Sequence, residues 1–158
     1  AQVALNEVQR LIDMSSIWST DGDVSRLNLA AGKDPVEISP DAHRMLTSAQ
    51  VVSAASGGAF DVTIGALSGL WGIETASLPS EEILAERLVL VDWKQLKLDS
   101  SKASLQTEGM SVVLDGLVQG DAADSALGLI PMEWDALVNV DGDLAARGEW
   151  QVDIPIHK

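Results

Sequence analysis

Three places in this chain carry residue types at spacings that do chemistry. The first is SGGAFDVTIGALSGLWG, residues 56–72, with paired glycines, the single Phe of the protein, an Asp and a Trp. Gly57 and Gly58 let a backbone approach a ligand closely. Phe60 offers an apolar face and Asp61 an acceptor. The same block also reads as a helix C-cap and a turn into the core, with Asp61 capping the next helix. The second is SVVLDGLVQGDAAD, residues 111–124. A strand, then Gly116 and Gly120, then a helix start presents backbone N–H groups to an anion. Asp121 and Asp124 lie on one helical face and with Asp115 form an acidic group able to help hold a hard cation. A solvated first turn, favoured by the helix dipole, is the other reading. The third is a pair of Asp-Gly-Asp triplets at 21–23 and 141–143, which lack the Gly and Glu spacing of an EF-hand loop and read as turns.

Other chemistry is excluded or unsupported. The chain has no Cys and no Tyr, so disulfide, thiolate and tyrosyl chemistry are absent. His43 and His157 have no Ser or Asp at a recognisable spacing and are expected at the surface. No nucleophile elbow, P-loop, zinc-protease helix or dinucleotide fingerprint occurs. A net charge of −14 repels nucleic acid and anionic membranes. A phosphate-bearing ligand would need backbone N–H groups or a divalent cation. No apolar run is long enough to span a bilayer. With one Phe and no Tyr, most of the five tryptophans are expected to pack the core. Trp18 is the exception, placed in a polar loop where its ring can stack on a flat ligand or pack.

The elements that must position these residues follow from periodicity and punctuation. Residues 3–14 have apolar positions at helical spacing. SSIWSTDGDVSRLN, residues 15–28, reads as a loop, and PVEI as a short strand. Residues 39–58 give the clearest helix, with Ser39 as N-cap, Pro40 in the first turn, a stripe through Met45, Ala49 and Val52, and Gly57-Gly58 at the end. LPSEEILAERL is a helix, and DWKQLKLD with KASLQTE a hairpin turning at 99–102. MSVVLDG reads as a strand, LVQGDAADSALGLI as a helix, and DALVNVDGDLAARGEWQVDIPI as two strands around Asp141-Gly142-Asp143. Without regular βαβ alternation this is an α+β chain: one mixed domain over 1–158, an antiparallel-rich sheet packed by helices. The chain starts at Ala1 and ends in a strand-like WQVDIPIHK, so both ends are expected to be cut from a larger protein.

In this order the blocks resemble the FAD:protein FMN transferases, the ApbE-like family first described as thiamine-biosynthesis lipoproteins. The likeness runs from about Leu5 to Ile154. SSIWSTDGDVSRLN resembles the family loop in which an aromatic precedes Ser-x-x-Asn. SGGAFDVTIGALSGLWG is similar to its most distinctive block, Gly-Ala-Phe-Asp-Val-Thr-x-Gly-Pro-Leu followed by Leu-Trp-Gly. VVLDGLVQGDAAD resembles Asp-Leu-Gly-Gly-Ile-Ala-Lys-Gly-Tyr-Ala-Val-Asp, and ALVNVDGDLAARG a strand ending in Gly-Gly-Asp.

The resemblance implies the ApbE-like fold and transfer of FMN from FAD onto a Thr or Ser of an acceptor protein, with a magnesium ion bridging the pyrophosphate. It implies that Trp18, Ala59, Phe60 and Asp61 contact the flavin nucleotide, that Asp121 takes the place of a flat contact near phosphate, and that the backbone carbonyl of Val118 is a metal ligand. It implies partners, FAD and an acceptor protein carrying a flavinylation motif, and a periplasmic or other extracytoplasmic location, with a lipoprotein anchor upstream. The chain itself does not resemble the acceptor, which carries Asp-x-x-Ser/Thr-Gly-Ala-Thr near a membrane helix. Four positions depart from the family: Gln119 for Lys, Asp121 for an aromatic, Asp141 for Gly and Ala66 for Pro. The family continues with a second half whose Asp and Thr complete the metal site. A catalytically silent member that binds a flavin nucleotide or a protein is therefore the competing expectation.

Overall fold

The computed structural model describes residues 1–71 and 78–153. Gly72, His157 and the expected strand end beyond Asp153 lie outside the described residues. The chain divides into two compact units, one of Ala1–Ile12 with the chain from Val118 onward, the other of Asp13–Leu117.

The larger unit is built on a three-stranded antiparallel sheet of β1 (Val36–Glu37), β2 (Leu96–Asp99) and β3 (Lys102–Leu105), in the order β1-β3-β2. The register pairs Leu96 with Leu105 and Val36 with Ala103. Ala103, Ser104 and Leu105 of the central strand are all buried. Helix α3 (Pro40–Ala55) packs on β2, and its Gln50 amide donates to the Leu96 carbonyl at 2.7 Å. Ser39 caps α3 by accepting from the Ala42 amide. Gly57 and Gly58 leave the helix with φ of 65° and 87°, a region that side chains with a Cβ avoid. Ser80 caps α4 (Glu81–Leu88) in the same way, accepting from the Ile83 amide. At the β2–β3 turn the Ser101 hydroxyl donates to Glu37 at 2.7 Å. That bond, with Lys102 beside it, holds the Glu37 carboxyl below the usual carboxylate range.

Several expectations need correction. The buried stripe of α3 is Ala42, Met45, Leu46, Ala49 and Ser53, while Val52 is exposed. Steps of four, three and four residues keep that stripe on one face, and Val52 lies one residue, about a quarter-turn, off it. The expected loop at 15–28 ends at Gly22, because Asp23–Leu29 is helix α2. Its Val24 and Leu27 are both buried, an i, i+3 apolar pair too short to stand out among polar neighbours. The Ser25 hydroxyl binds the Gly22 carbonyl at 2.9 Å and tightens the helix start.

MSVVLDG is extended but joins neither sheet. Its one ladder contact is an isolated parallel bridge between Ile64 and Ser111. The tryptophans do not pack the core. Trp18, Trp71, Trp134 and Trp150 are exposed and Trp93 is half-buried. The core is aliphatic instead, with Leu27, Leu46, Leu96, Leu105, Met45, Met110, Val62, Val112 and Leu114 almost fully enclosed.

In the smaller unit α5 (Val118–Gly128) packs on a hairpin of β4 (Ala136–Val140) and β5 (Asp143–Arg147). Ala122, Ala123 and Ala126 are its buried face, and such small side chains bring a helix close to a sheet. The hairpin turns at Asp141 and Gly142 with φ of 51° and 103°, the pattern whose twist matches paired strands. Asp tolerates this conformation better than most side chains, so the departure from Gly at 141 leaves the turn intact. Helix α1 (Gln2–Ser15) belongs to the smaller unit through Ile12, and its last three residues to the larger one. The antiparallel strands thus fall into two small sheets. Among the described residues no helix is long and apolar enough to cross a membrane.

Candidate functional site

Residues 59–67 form the centre of the larger unit's distinctive region. Asp61 organises it. Its Oδ1 accepts from the Thr63 amide at 2.8 Å and from the Thr63 hydroxyl at 2.6 Å. Its Oδ2 accepts from the Trp93 amide at 2.9 Å. A carboxylate offers about four lone-pair positions, and three are taken by the protein's own chain. Asp61 does not cap the next helix, the 3-10 turn Gly65–Leu67, whose N-cap Ile64 has no side-chain cap bond. It closes a local turn on Thr63 and ties the block to the 3-10 turn Trp93–Gln95.

Beyond Thr63 the chain runs beside residues 111–114. Ile64 bridges Ser111, and the Val113 amide donates to the Val62 carbonyl at 2.9 Å. The approach is close at Gly65, where an added Cβ would lie 2.5 Å from the Ser111 carbonyl oxygen. Residues Ser111 and Val113 thus bond on one side of their extended segment. Val112, between them, faces the other way, as alternation along an extended chain requires. There it meets Asn28 of α2, whose Nδ2 donates to the Val112 carbonyl at 2.9 Å and whose Oδ1 accepts from the Val112 amide at 2.7 Å. A side chain takes the place of a neighbouring strand, which is why the segment is extended without belonging to a sheet.

The same segment continues into a turn at 115–117. Gly116 stands against the Phe60 ring, with Phe60 Cε2 3.6 Å from where a Gly116 Cβ would sit. Phe60 and Asp61 are half-buried and Ala59 is exposed. Trp18 is 88% exposed, on the loop between α1 and α2. The Trp93 indole Nε1 lies 4.0 Å from the Cβ position of Gly58, and Lys94 sits over the Trp93 ring with Nζ 5.8 Å from its centroid. Trp93 and Asn28 were not legible as site residues. Asn28 closes a Ser-x-x-Asn sequence, the only signal that could have marked it.

The remaining sequence candidates belong to the smaller unit. Val118 is the first residue of α5 and its side chain is buried. Asp121 stands half-buried in the first turn. Among the described residues no three His, Asp or Glu side chains gather where one ion could be held. Magnesium asks for six near-octahedral oxygens and usually one or two carboxylates. The expected acidic grouping of Asp115, Asp121 and Asp124 is thus not found as a three-ligand cluster among the described residues.

Three blocks distant in sequence are thus locked together by Asn28–Val112 and Val62–Val113, with Gly116 beside the Phe60 ring, and each coincides with a block of the resemblance. The ApbE family model matches residues 1–157. The chain belongs to the ApbE family. Its curated relatives include FAD:protein FMN transferases of Klebsiella pneumoniae, 28% identical and covering 93% of this chain and 48% of the relative, and of Chlamydia trachomatis, 30% identical and covering 78% and 42%. Among solved structures, the apo flavinyl transferase ApbE of Pseudomonas stutzeri superimposes with a TM-score of 0.83 at 25% identity, over 97% of this chain and 56% of that one. The flavin transferase ApbE of Vibrio cholerae gives 0.84 at 22% identity, over 94% and 51%. The α+β ApbE fold is therefore established, and the chain spans about half the length of the curated relatives it matches. In ApbE terms, the Phe-bearing block, the aromatic loop with its Ser-x-x-Asn, and the Asp-Gly turn before α5 are all present and mutually held.

Proposed function

We propose that this chain is part of a flavin transferase that moves FMN from FAD onto a Thr or Ser hydroxyl of an acceptor protein. In that reaction the hydroxyl oxygen bonds to the FMN-side phosphorus, the phosphorus–oxygen bond to AMP breaks, the hydroxyl proton passes to a base, and AMP leaves. The observation that carries the reading is the locking of the ApbE blocks around Phe60 and Gly116. Phe60 and the exposed Trp18 supply apolar faces for the flat parts of a dinucleotide. The reading includes a magnesium ion on the pyrophosphate, with the Val118 carbonyl as one ligand and the others supplied from beyond this chain's described residues. It also includes an extracytoplasmic, periplasmic or lipid-anchored setting. A cation is physically apt, since a chain of net charge −14 repels a phosphate-rich ligand unless its charge is offset.

The replacement of the family's Lys and aromatic by Gln119 and Asp121 favours a second reading, a flavin-nucleotide binder without transfer. One experiment separates the two. The protein is incubated with FAD, magnesium and an acceptor peptide of the family type, and covalent flavin fluorescence is read on a denaturing gel. Compared are this chain, its Gln119→Lys/Asp121→Tyr double variant and a version extended by the family's second half. A fluorescent peptide that needs both FAD and magnesium is expected only with the extension, with more product when the double variant is combined with it. Binding of FAD without any fluorescent peptide under all conditions sinks the transferase reading in favour of the silent one.

A direct titration tests the ligand assignment. FAD binding followed by flavin and Trp fluorescence should tighten with magnesium. Binding only near millimolar would be worth about 4 kcal/mol. Trp18→Ala should weaken it about tenfold, as loss of one stacking contact does. Because Trp18 is 88% exposed, the same change should cost under about 0.5 kcal/mol of stability. An unchanged affinity for FAD would remove Trp18 from the site.

A further inference from the structure

We infer that Asn28 is a positioning residue of the flavin-nucleotide site, acting through the backbone of Val112; the inference rests on the functional reading above. Asn28 and Val112 are 84 residues apart, yet they form a reciprocal pair of hydrogen bonds at 2.9 and 2.7 Å. Both bonds require one side chain that donates and accepts at once, at one reach. Only an amide of this length does so among the common side chains at neutral pH. The amide orientation follows from the bonds themselves, since its reverse would set donor against donor and acceptor against acceptor.

What the clamp controls is the segment after it. Val112 is fully buried, as is Leu114, and the Leu117 amide binds the Leu114 carbonyl at 2.8 Å to form the turn that carries Gly116. Gly116 lies beside the Phe60 ring, whose Cε2 is 3.6 Å from where a Gly116 Cβ would sit. The opposite side of the segment is held by Val62 and Ile64 of the Phe60 block. The segment is thus fixed between α2 and the Phe60 block, and α2 also carries the loop that presents Trp18. If the clamp opens, the bonds to Val62 and Ile64 still hold the segment on one side, while its register against α2 is lost. The aromatic at 18 and the aromatic at 60 then no longer have a fixed relation. That predicts a loss of ligand affinity larger than the loss of fold.

The test uses Asn28→Asp and Asn28→Gln, each read by thermal melting and by FAD titration well below its melting temperature. Asn28→Asp keeps the shape but, ionised, faces the Val112 carbonyl with a second acceptor. At pH 7 it should bind FAD at least tenfold more weakly than the unsubstituted chain. An ordinary aspartic acid titrates near about 3.9, and in its neutral form it again donates and accepts. Lowering the pH to about 4 should therefore shrink the ratio of the two dissociation constants. Asn28→Gln retains donor and acceptor one methylene too far out, brings in no charge, and should also bind more weakly.

Melting temperatures that fall while both variants bind FAD as the unsubstituted chain does would overturn the inference and leave the clamp as plain scaffolding. A ratio that stays constant with pH would overturn it as well. If the unsubstituted chain itself fails to bind FAD, the functional reading falls, and this inference with it.

Discussion

Replacing Asp61 by Ala is expected to destabilise the protein by about 3 kcal/mol, because three charge-assisted or backbone hydrogen bonds lose their acceptor at once. Thr63 is fully buried, so its hydroxyl and amide have no water to turn to. The Trp93 amide loses its partner in the same change. For a chain of this size that corresponds to a fall in melting temperature of roughly 6–12 °C. Asn at 61 should cost about half as much. Its Oδ1 still accepts from Thr63, but its Nδ2 meets the Trp93 N–H donor to donor. Thermal melts followed by far-ultraviolet circular dichroism check both. A melting temperature of Asp61→Ala within about 2 °C of the parent would show that the hydrogen bonds carry little, and would return Asp61 to a role toward ligand alone.

Gly65→Ala is expected to be comparably damaging, at about 3 kcal/mol or more, for a steric reason. The new Cβ would stand 2.5 Å from the Ser111 carbonyl oxygen and 2.9 Å from its carbon. Both are backbone atoms and cannot rotate aside, so the paired segments must separate. Separation strains the Ile64–Ser111 bridge and the Val113–Val62 bond together. Gly57→Ala is the control. Its φ is positive, but nothing lies within 4 Å of its Cβ, so the penalty is conformational and about 1 kcal/mol. Chemical denaturation midpoints for the two variants give the comparison. Equal losses at 57 and 65 would mean that the close approach at Gly65 relaxes without cost.

Much of the local structure was legible because it depends on neighbours in sequence. Ser39 and Ser80 cap the helices they precede, since capping needs only a hydroxyl and an amide three residues on. The β2–β3 hairpin and the Asp141-Gly142 turn are likewise decided within a few residues. Val24 and Leu27 show the limit. A seven-residue helix carries too few turns for its period to emerge, and its stability comes from burial that the sequence does not display. The aromatic expectation failed for a related reason. Among the described residues Leu, Val, Met and Ala side chains fill most of this core, and all five tryptophans stand wholly or partly in solvent.

The sequence by itself determined the family and the α+β class, because both rest on the order of blocks and on local periodicity. It also marked Phe60, Asp61 and the Asp115-Gly116 turn as unusual. Only the tertiary structure decided what those residues do for one another. Asp61 spends three of its acceptor positions on Thr63 and Trp93, and the Trp93 bond spans a separation that no local pattern encodes. Residues 110–114 have the composition of a strand, yet their partners are the Asn28 side chain on one side and an irregular turn on the other. Strand propensity specifies an extended backbone, but which groups satisfy its amides and carbonyls depends on the chain segments that folding brings alongside. For Val112 that partner lies 84 residues earlier in the chain.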